Sequence, residues 1–161
     1  MKYWFSRLIW VLALAGVPSV GLAGCGDDGA EVAPELIGTW DAVSIEAEGM
    51  SMSCPGEIEL SDTSSVSCFT QAITFNTDGT FVGVQTTDEF GDPFDWRNEG
   101  TWSMEGSTLT LTYLQEGPDA DNLEPIDPPE TGSASWSVSG DTLTISTQFG
   151  PHTVTGTWDK R

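Results

Sequence analysis

The feature that most constrains the fold of this chain is a hairpin-like segment that occurs twice. It covers residues 102–111 as Trp-Ser-Met-Glu-Gly-Ser-Thr-Leu-Thr-Leu and recurs at residues 136–145 as Trp-Ser-Val-Ser-Gly-Asp-Thr-Leu-Thr-Ile. In each copy a polar turn with a glycine separates an aromatic residue from an alternation of threonine and aliphatic side chains. Period-two alternation beside a tight turn predicts an antiparallel β-hairpin. A third turn of related chemistry lies at residues 75–81.

The same alternation predicts eight strands, with no helical pattern in the connections between them. The predicted strands cover residues 36–45, 69–76, 80–87, 96–103, 108–114, 133–139, 142–149 and 152–159. Eight antiparallel strands in up-and-down order are enough to close a small barrel, and closure removes the exposed edges of an open sheet. The sequence therefore predicts an all-β, eight-stranded antiparallel barrel, with a β-sandwich as the alternative.

Three longer connections interrupt the short turns. Residues 47–67 are predicted to be an irregular loop with a short strand at 57–60, and residues 88–95 and 115–132 to be acidic loops. In an up-and-down barrel these connections follow the first, third and fifth strands, so they open at one end while the tight turns close the other. Small-molecule sites usually lie at such a mouth.

Strand parity assigns one face of the sheet to the barrel interior. The inward positions are mostly aromatic or aliphatic: Ile73, Phe75, Phe81, Gly83, Trp96, Trp102, Leu109, Leu111, Tyr113, Trp136, Val138, Leu143, Ile145, Val154 and Trp158. The predicted barrel core consists of Trp40, Phe75, Trp102, Trp136 and Trp158. The predicted ligand-binding residues are Phe81, Trp96, Tyr113 and Phe149. Of these, Trp96 follows the acidic loop at 88–95 and is predicted to lie close to the inferred mouth.

The N-terminus has the pattern of a secretory signal. Lys2 and Arg7 precede an apolar run at residues 8–20, which is shorter than the roughly 20 residues of a membrane-spanning helix. The following Leu-Ala-Gly-Cys resembles the lipobox of bacterial lipoproteins, in which Cys25 would be lipidated; the alternative is an ordinary secretory signal. We expect a cleaved signal peptide at 1–24, a flexible acidic tether at 25–34 and a barrel domain at 35–161. The expected location is the bacterial outer membrane, lipid-anchored and facing the periplasm or the cell surface.

Charge and cysteine content narrow the possible functions. The chain has 25 acidic residues against five basic ones and a net charge of −20, so it repels nucleic acid. If Cys25 carries a lipid, Cys54 and Cys68 remain as a natural disulfide pair in an oxidising compartment.

Several short motifs resemble the lipocalin-like calycin barrels, particularly the small bacterial lipoproteins with a lipocalin-like domain. These motifs are Gly-Thr-Trp at 38–40, Asp-Gly-Thr-Phe at 78–81, and Gly-Thr-Trp at 100–102 with Leu-Thr-Leu at 109–111. The resemblance implies that Trp40 plugs the closed end of the barrel and that a basic residue from a late strand lies against its ring. Lys160 has the parity that this contact requires.

The sequence offers little for catalysis or metal binding. His152 is the single histidine, and no serine or cysteine has an evident activating base. Residues 119–124 begin like a calcium loop but carry Glu124 where the bend requires glycine. We expect no enzyme activity, no cofactor and no defined metal site, with looser cation binding by the acidic loops as an alternative.

The predicted function is that of a lipid-anchored, monomeric, non-catalytic protein that binds a small apolar ligand at the barrel mouth. The alternative is a surface or periplasmic interaction protein. Its filled barrel would be a scaffold, and its acidic loops would contact a basic protein partner.

Overall fold

The computed structural model describes residues 33–61, 64–89 and 92–161, and every regular element in these ranges is a β-strand. The strands are β1 Gly38–Ala47, β2 Met50–Ser53, β3 Gly56–Ser61, β4 Ser64–Cys68, β5 Thr70–Phe75, β6 Thr80–Glu89, β7 Asp92–Glu105, β8 Thr108–Gly117, β9 Glu124–Ser139, β10 Thr142–Phe149 and β11 His152–Lys160. This part of the chain has no helix long and apolar enough to cross a membrane. The predicted signal peptide and Cys25 lie outside the described residues.

Eight of the strands close into an antiparallel barrel. Strands β5 to β11 follow one another as neighbours, and β1 joins β5 on one side and β11 on the other. The predicted eight-stranded, up-and-down barrel is therefore confirmed over the sandwich alternative. The two copies of the repeated segment form the β7–β8 and β9–β10 hairpins, with turns at the same end of the barrel.

The two ends of the barrel differ as predicted. The turns at 76–79, 106–107 and 140–141 lie at one end, here called the closed end, together with residues 33–37. The connections that follow β1, β6, β8 and β10 lie at the other end, here called the open end. Because every neighbouring pair in the barrel is antiparallel, counting strands was enough to place these connections.

The predictions of acidic loops at 88–95 and 115–132 were wrong for most of their length. The backbone of Asp88 pairs with Pro93 in the β6–β7 hairpin. Strand β8 continues to Gly117 and β9 begins at Glu124, which leaves only 118–123 between them. Beyond the core the side chains of this hairpin are mostly exposed on both faces, so apolar alternation disappears although the backbone ladder continues.

The connection between β1 and β5 is an ordered insertion. Strand β2 pairs with the second half of β1, where Ile45 lies opposite Met52, and β3 pairs with β4 in a separate hairpin. The predicted strand at 57–60 lies within β3. The predicted disulfide is confirmed, because Cys54 is bonded to Cys68 across Cα atoms 5.2 Å apart.

Two apolar clusters occupy the interior. The larger one includes the closed end and contains Ala33, Leu36, Trp40, Ile73, Phe75, Phe81, Trp102, Leu109, Leu111, Tyr113, Leu143 and Trp158. The smaller one joins the insertion to β1 and β11 and contains Ile45, Ala47, Ile58, Cys68 and Val154. Burial of these side chains is the main favourable contribution to folding.

Trp40 closes the barrel in the way that the family resemblance implies. Gly38 has a φ of 130°, a conformation that favours glycine, and the chain then turns the Trp40 ring inward. The ring is completely buried, and its Nε1 donates a hydrogen bond to the Leu36 carbonyl oxygen at 2.8 Å. The Lys160 Nζ lies 5.0 Å from the ring centroid, within the range of a cation–π contact.

Candidate ligand-binding site

The interior of the barrel changes from closely packed to partly open along its axis. Near the closed end, Phe75, Phe81 and Leu109 are each about 1% exposed. Towards the open end, the inward-facing side chains of Trp96 and Phe149 are only partly buried. A large inward-facing side chain that still contacts solvent indicates space that the barrel does not fill with its own side chains. This open half is the candidate ligand-binding site.

The predicted ligand-binding residues lie at different levels and on different walls. Phe81 packs against Tyr113 with ring centroids 5.2 Å apart and planes at 84°, so these two residues are brought together. Trp96 lies on β7 opposite Gln85 of β6. Phe149 lies on β10 opposite His152 and packs against the smaller apolar cluster. Phe81 belongs to the closely packed interior near the closed end, here called the packed floor, whereas Trp96 and Phe149 lie in the open half.

The predicted core residues differ in how completely they are buried. Trp40, Phe75, Trp102 and Trp158 are buried in the larger cluster, and Trp136 is partly buried against it. The Trp136 Nε1 is inaccessible to solvent and makes no hydrogen bond to any residue in the described ranges. Its backbone N–H donates a hydrogen bond to the Ser107 carbonyl oxygen in the β7–β8 turn, so Trp136 lies near the closed end of the barrel.

A row of polar side chains on the inner face was missed by the sequence reasoning. Gln85 is a polar residue whose side chain is buried, with only 5% of the residue exposed. Asn98 lies opposite Gly83, and its Oδ1 lies 2.7 Å from the position that a Cβ of Gly83 would occupy. Glu116 lies opposite Asn98 on the next strand and therefore faces the same side. Extending the parity of Phe81 to residue 85 would have found the first of these groups.

Tyr113 combines deep burial with a nearby carboxylate. Burial raises the pKa of its phenol well above the usual range, and the negative charge of Glu130 raises this pKa further. Glu130 lies directly opposite Tyr113 on β9. The phenol is consequently neutral at physiological pH.

The β3–β4 hairpin covers one side of the open end. Ile58 of this hairpin is 3% exposed and packs with Ile45, Ala47 and Val154 on the side of β1 and β11. Because the clustered apolar contacts of the hairpin are with β1 and β11, the insertion narrows the mouth on that side. The polar row lies on β6 to β8, which are not neighbours of β1 or β11 in the sheet.

A second contact at the open end joins two turns. Glu48 has a φ of 55° in the β1–β2 turn, and its Oε1 lies 2.6 Å from Nδ1 of His152. The two residues are 104 positions apart in sequence, so no local pattern predicts this pair. His152 is thus a partner of the insertion.

The outer surface has a separate concave region with a volume of about 560 Å³. It lies across β1, β5, β6 and β7, with Ala72, Val82 and Val84 at its centre. Arg97 and Arg161 lie at its edges. Each arginine is already paired with a carboxylate, Glu99 and Asp41 respectively. This outer groove is distinct from the open half of the barrel.

The described part of the chain contains no group of three or more histidine, cysteine, aspartate or glutamate side chains arranged to hold a metal ion. The chemistry that the interior offers is apolar contact, aromatic stacking and hydrogen bonding. These are the interactions of a binding site.

The closed antiparallel meander, the Trp40 plug and the single open end define a lipocalin-like barrel, a class that generally binds ligands without catalysis. The family model of the lipocalin-like domain matches residues 36–127, more than half of the 161 residues, and the chain belongs to this family. The match ends within β9, and β10 and β11 complete the barrel beyond it. No curated protein and no solved structure matches the chain.

Proposed function

We propose that this protein is a non-catalytic, monomeric binding protein that takes a small, largely apolar ligand into the open half of its barrel. The observation that carries this proposal is the contrast between the packed floor at Phe81 and the partly exposed inward-facing rings of Trp96 and Phe149. Membership of the lipocalin-like family supports a binding role. The ligand would contact the aromatic wall and displace water from it.

Lipid anchoring at Cys25 is part of the same proposal. It is supported by the basic start, the apolar run and the Leu-Ala-Gly-Cys sequence at residues 22–25. Stable anchoring requires two or more acyl chains, since each buried methylene contributes about 0.8 kcal/mol. We accordingly propose an outer-membrane location, facing the periplasm or the cell surface. Mass spectrometry of membrane-extracted protein would show an acylated N-terminal peptide, which the Cys25→Ser variant would lose.

The anchor would attach at the closed end of the barrel. Ala33 packs in the same apolar cluster as Trp40, and only seven residues separate it from Cys25. Eight fully extended peptide units reach at most about 29 Å. The lipid would therefore hold the closed end near the membrane, and the open end would face away from it towards the ligand.

The binding proposal is tested by titrating the full chain with N-phenylnaphthylamine, a neutral apolar dye whose fluorescence rises in apolar surroundings. We expect saturable binding that the Trp96→Ala variant weakens at least about fivefold, because this truncation removes a large part of the aromatic wall. Val84→Ala is the matched control, since Val84 lines the outer groove. Circular dichroism would verify that both variants remain folded.

The two variants distinguish dye binding in the open half of the barrel from dye binding in the outer groove. Loss of dye binding in Val84→Ala but not in Trp96→Ala would place the dye in the outer groove and overturn the proposal. Absence of saturable binding would also overturn it.

The second candidate function is capture of a basic protein by the acidic segments 48–67, 88–95 and 115–132. The observation that favours it is the length of the β8–β9 hairpin, whose turn carries the exposed carboxylates of Asp119 and Asp121. It predicts capture that weakens as salt is added, because screening shortens the range of these charges. Capture of a basic protein that is insensitive to salt would contradict it.

A further inference from the structure

The polar row in the open half has a definite chemical character. Gln85 faces inward, because it shares the parity of the buried Phe81, and it is 5% exposed. Its side-chain amide offers two donors and an acceptor to a molecule in the open half.

A carboxylate lies on the same inner surface. Glu116 is opposite Asn98, which is diagonal to Gln85 across the β6–β7 pair. Directly opposed residues have Cβ atoms about 5 Å apart, and diagonal neighbours about 7–8 Å. The two amides and Glu116 therefore adjoin one another on one wall.

The cationic side chains of the described residues lie elsewhere than beside Glu116. Lys160 lies over Trp40 at the closed end, Arg161 binds Asp41, and Arg97 lines the outer groove beside Glu99. His152 lies at the mouth and contacts Glu48. With a net charge of −20 on the whole chain, the interior surface repels anions and attracts cations.

We infer that the ligand is a small organic cation, in which an apolar body carries an ammonium group. The apolar body would lie against Trp96, whose ring face also favours a cation. The ammonium group has three donors and no acceptor, which matches the oxygen atoms of Gln85, Asn98 and Glu116. This inference rests on the proposed function and specifies the ligand class of the same site.

The test compares three probes with the same aromatic body and different charge, namely phenethylamine, phenethyl alcohol and hydrocinnamate. Calorimetric titration of the full chain would measure their affinities at low and at physiological salt. We expect the amine to bind about tenfold more tightly than the alcohol, and the carboxylate to bind most weakly. The preference for the amine should decrease as salt is added.

Two isosteric variants separate a local effect from the overall charge. Glu116→Gln should weaken amine binding about fivefold and leave alcohol binding unchanged. Glu105→Gln is the matched control, because Glu105 is exposed beside the β7–β8 turn at the closed end. Equal losses in both variants would assign the effect to net charge and overturn the inference.

The remaining outcomes distinguish the inference from the proposed function. If the alcohol binds as tightly as the amine, or the carboxylate binds best, the cationic ligand class is wrong and the proposed function stands. If none of the three probes binds, the cationic ligand class and the proposed function are both wrong.

Discussion

The rings of Phe81 and Tyr113 meet edge to face, with centroids 5.2 Å apart and an interplanar angle of 84°. Phe81 belongs to the packed closed half of the barrel, whereas Tyr113 lies opposite Glu130 on the way to the open half. This contact marks the level at which the filled core gives way to the candidate site. Its position follows from the register of β6, β7 and β8.

Tyr113 should make the stability of the protein fall at high pH. Because its folded-state pKa is raised above the ordinary value of 10.0, the unfolded chain releases the phenolic proton first. The contribution of the neutral phenol to the free energy of unfolding is therefore complete below pH 10. Above pH 10, the free energy of unfolding decreases by about 1.4 kcal/mol per pH unit. Urea unfolding of the full chain at pH 9, 10 and 11 would measure this slope.

Tyr113→Phe is the control for that slope. The variant keeps the aromatic ring and lacks the ionisable phenol, so its stability should fall less steeply above pH 10. The only other tyrosine, Tyr3, is present in both proteins and cancels in the comparison. Equal slopes in the two proteins would contradict the assignment to Tyr113.

Gly100 should tolerate no side chain. A Cβ at this position would lie 1.9 Å from the Thr112 carbonyl oxygen and 2.8 Å from Cε1 of Phe81. Since a backbone atom cannot move aside, Gly100→Ala should destabilise the protein by about 3 kcal/mol, as overpacking does. Thermal or urea unfolding would measure the loss.

Gly83→Ala is the matched comparison, because Gly83 also faces the interior. Its added Cβ would meet only the Asn98 Oδ1, at 2.7 Å, which is the end of a flexible side chain. We expect a cost below about 1.5 kcal/mol. A larger loss in Gly83→Ala than in Gly100→Ala would contradict the close approach of β7 and β8.

The disulfide should stabilise the insertion and the protein as a whole. Cys54 and Cys68 are 14 positions apart, and closing a loop of this size is worth about 3 kcal/mol in the chain-entropy model. The double variant Cys54→Ser/Cys68→Ser should therefore have a lower Tm than the oxidised protein. Dithiothreitol should lower the Tm of the wild type and leave the double variant unchanged. A double variant with the Tm of the oxidised wild type would refute the stabilising role.

Replacement of Glu48 by alanine and by glycine should change the free energy of unfolding by different amounts. Its φ of 55° is costly for any residue with a side chain, by about 1–2 kcal/mol, and the contact with His152 accompanies this conformation. Glu48→Ala removes the contact and keeps the backbone cost, whereas Glu48→Gly removes both. Glu48→Gly should thus be about 1 kcal/mol more stable than Glu48→Ala. Equal unfolding free energies would show that the left-handed conformation is not imposed by the turn.

Much of the barrel could be predicted from local patterns. The alternation around residues 109–111 and 143–145 identified strands, and the glycine turns between them identified hairpins. The extension of β8 to Gly117 could not be predicted in this way. Its backbone pairs with β9 although its side chains carry no apolar alternation, and composition does not report backbone pairing.

The candidate site, like the barrel, could be predicted only in part from the sequence. Parity placed Trp96 and Tyr113 on the inner face, because a strand exposes alternate side chains to opposite sides. The inward positions of Gln85 and Asn98 follow from the same rule, but their polarity drew no attention in a sequence with so many polar residues. Their importance lies in burial and in the register of neighbouring strands, and neither is a local property.

The sequence by itself determined the eight barrel strands and the two-ended asymmetry, which depend on spacing along the chain and on the period of a β-strand. Its cysteine content indicated the disulfide pair, and its resemblance to the lipocalin-like barrels identified Trp40 as the closed-end plug. Only the tertiary structure decided that Ile58 covers one side of the mouth, that Glu48 meets His152, and that two amides and Glu116 adjoin on one wall. The first two contacts join residues far apart in sequence, which closure of the barrel between β1 and β11 brings together. The third depends on the register of neighbouring strands, which side-chain composition does not reveal.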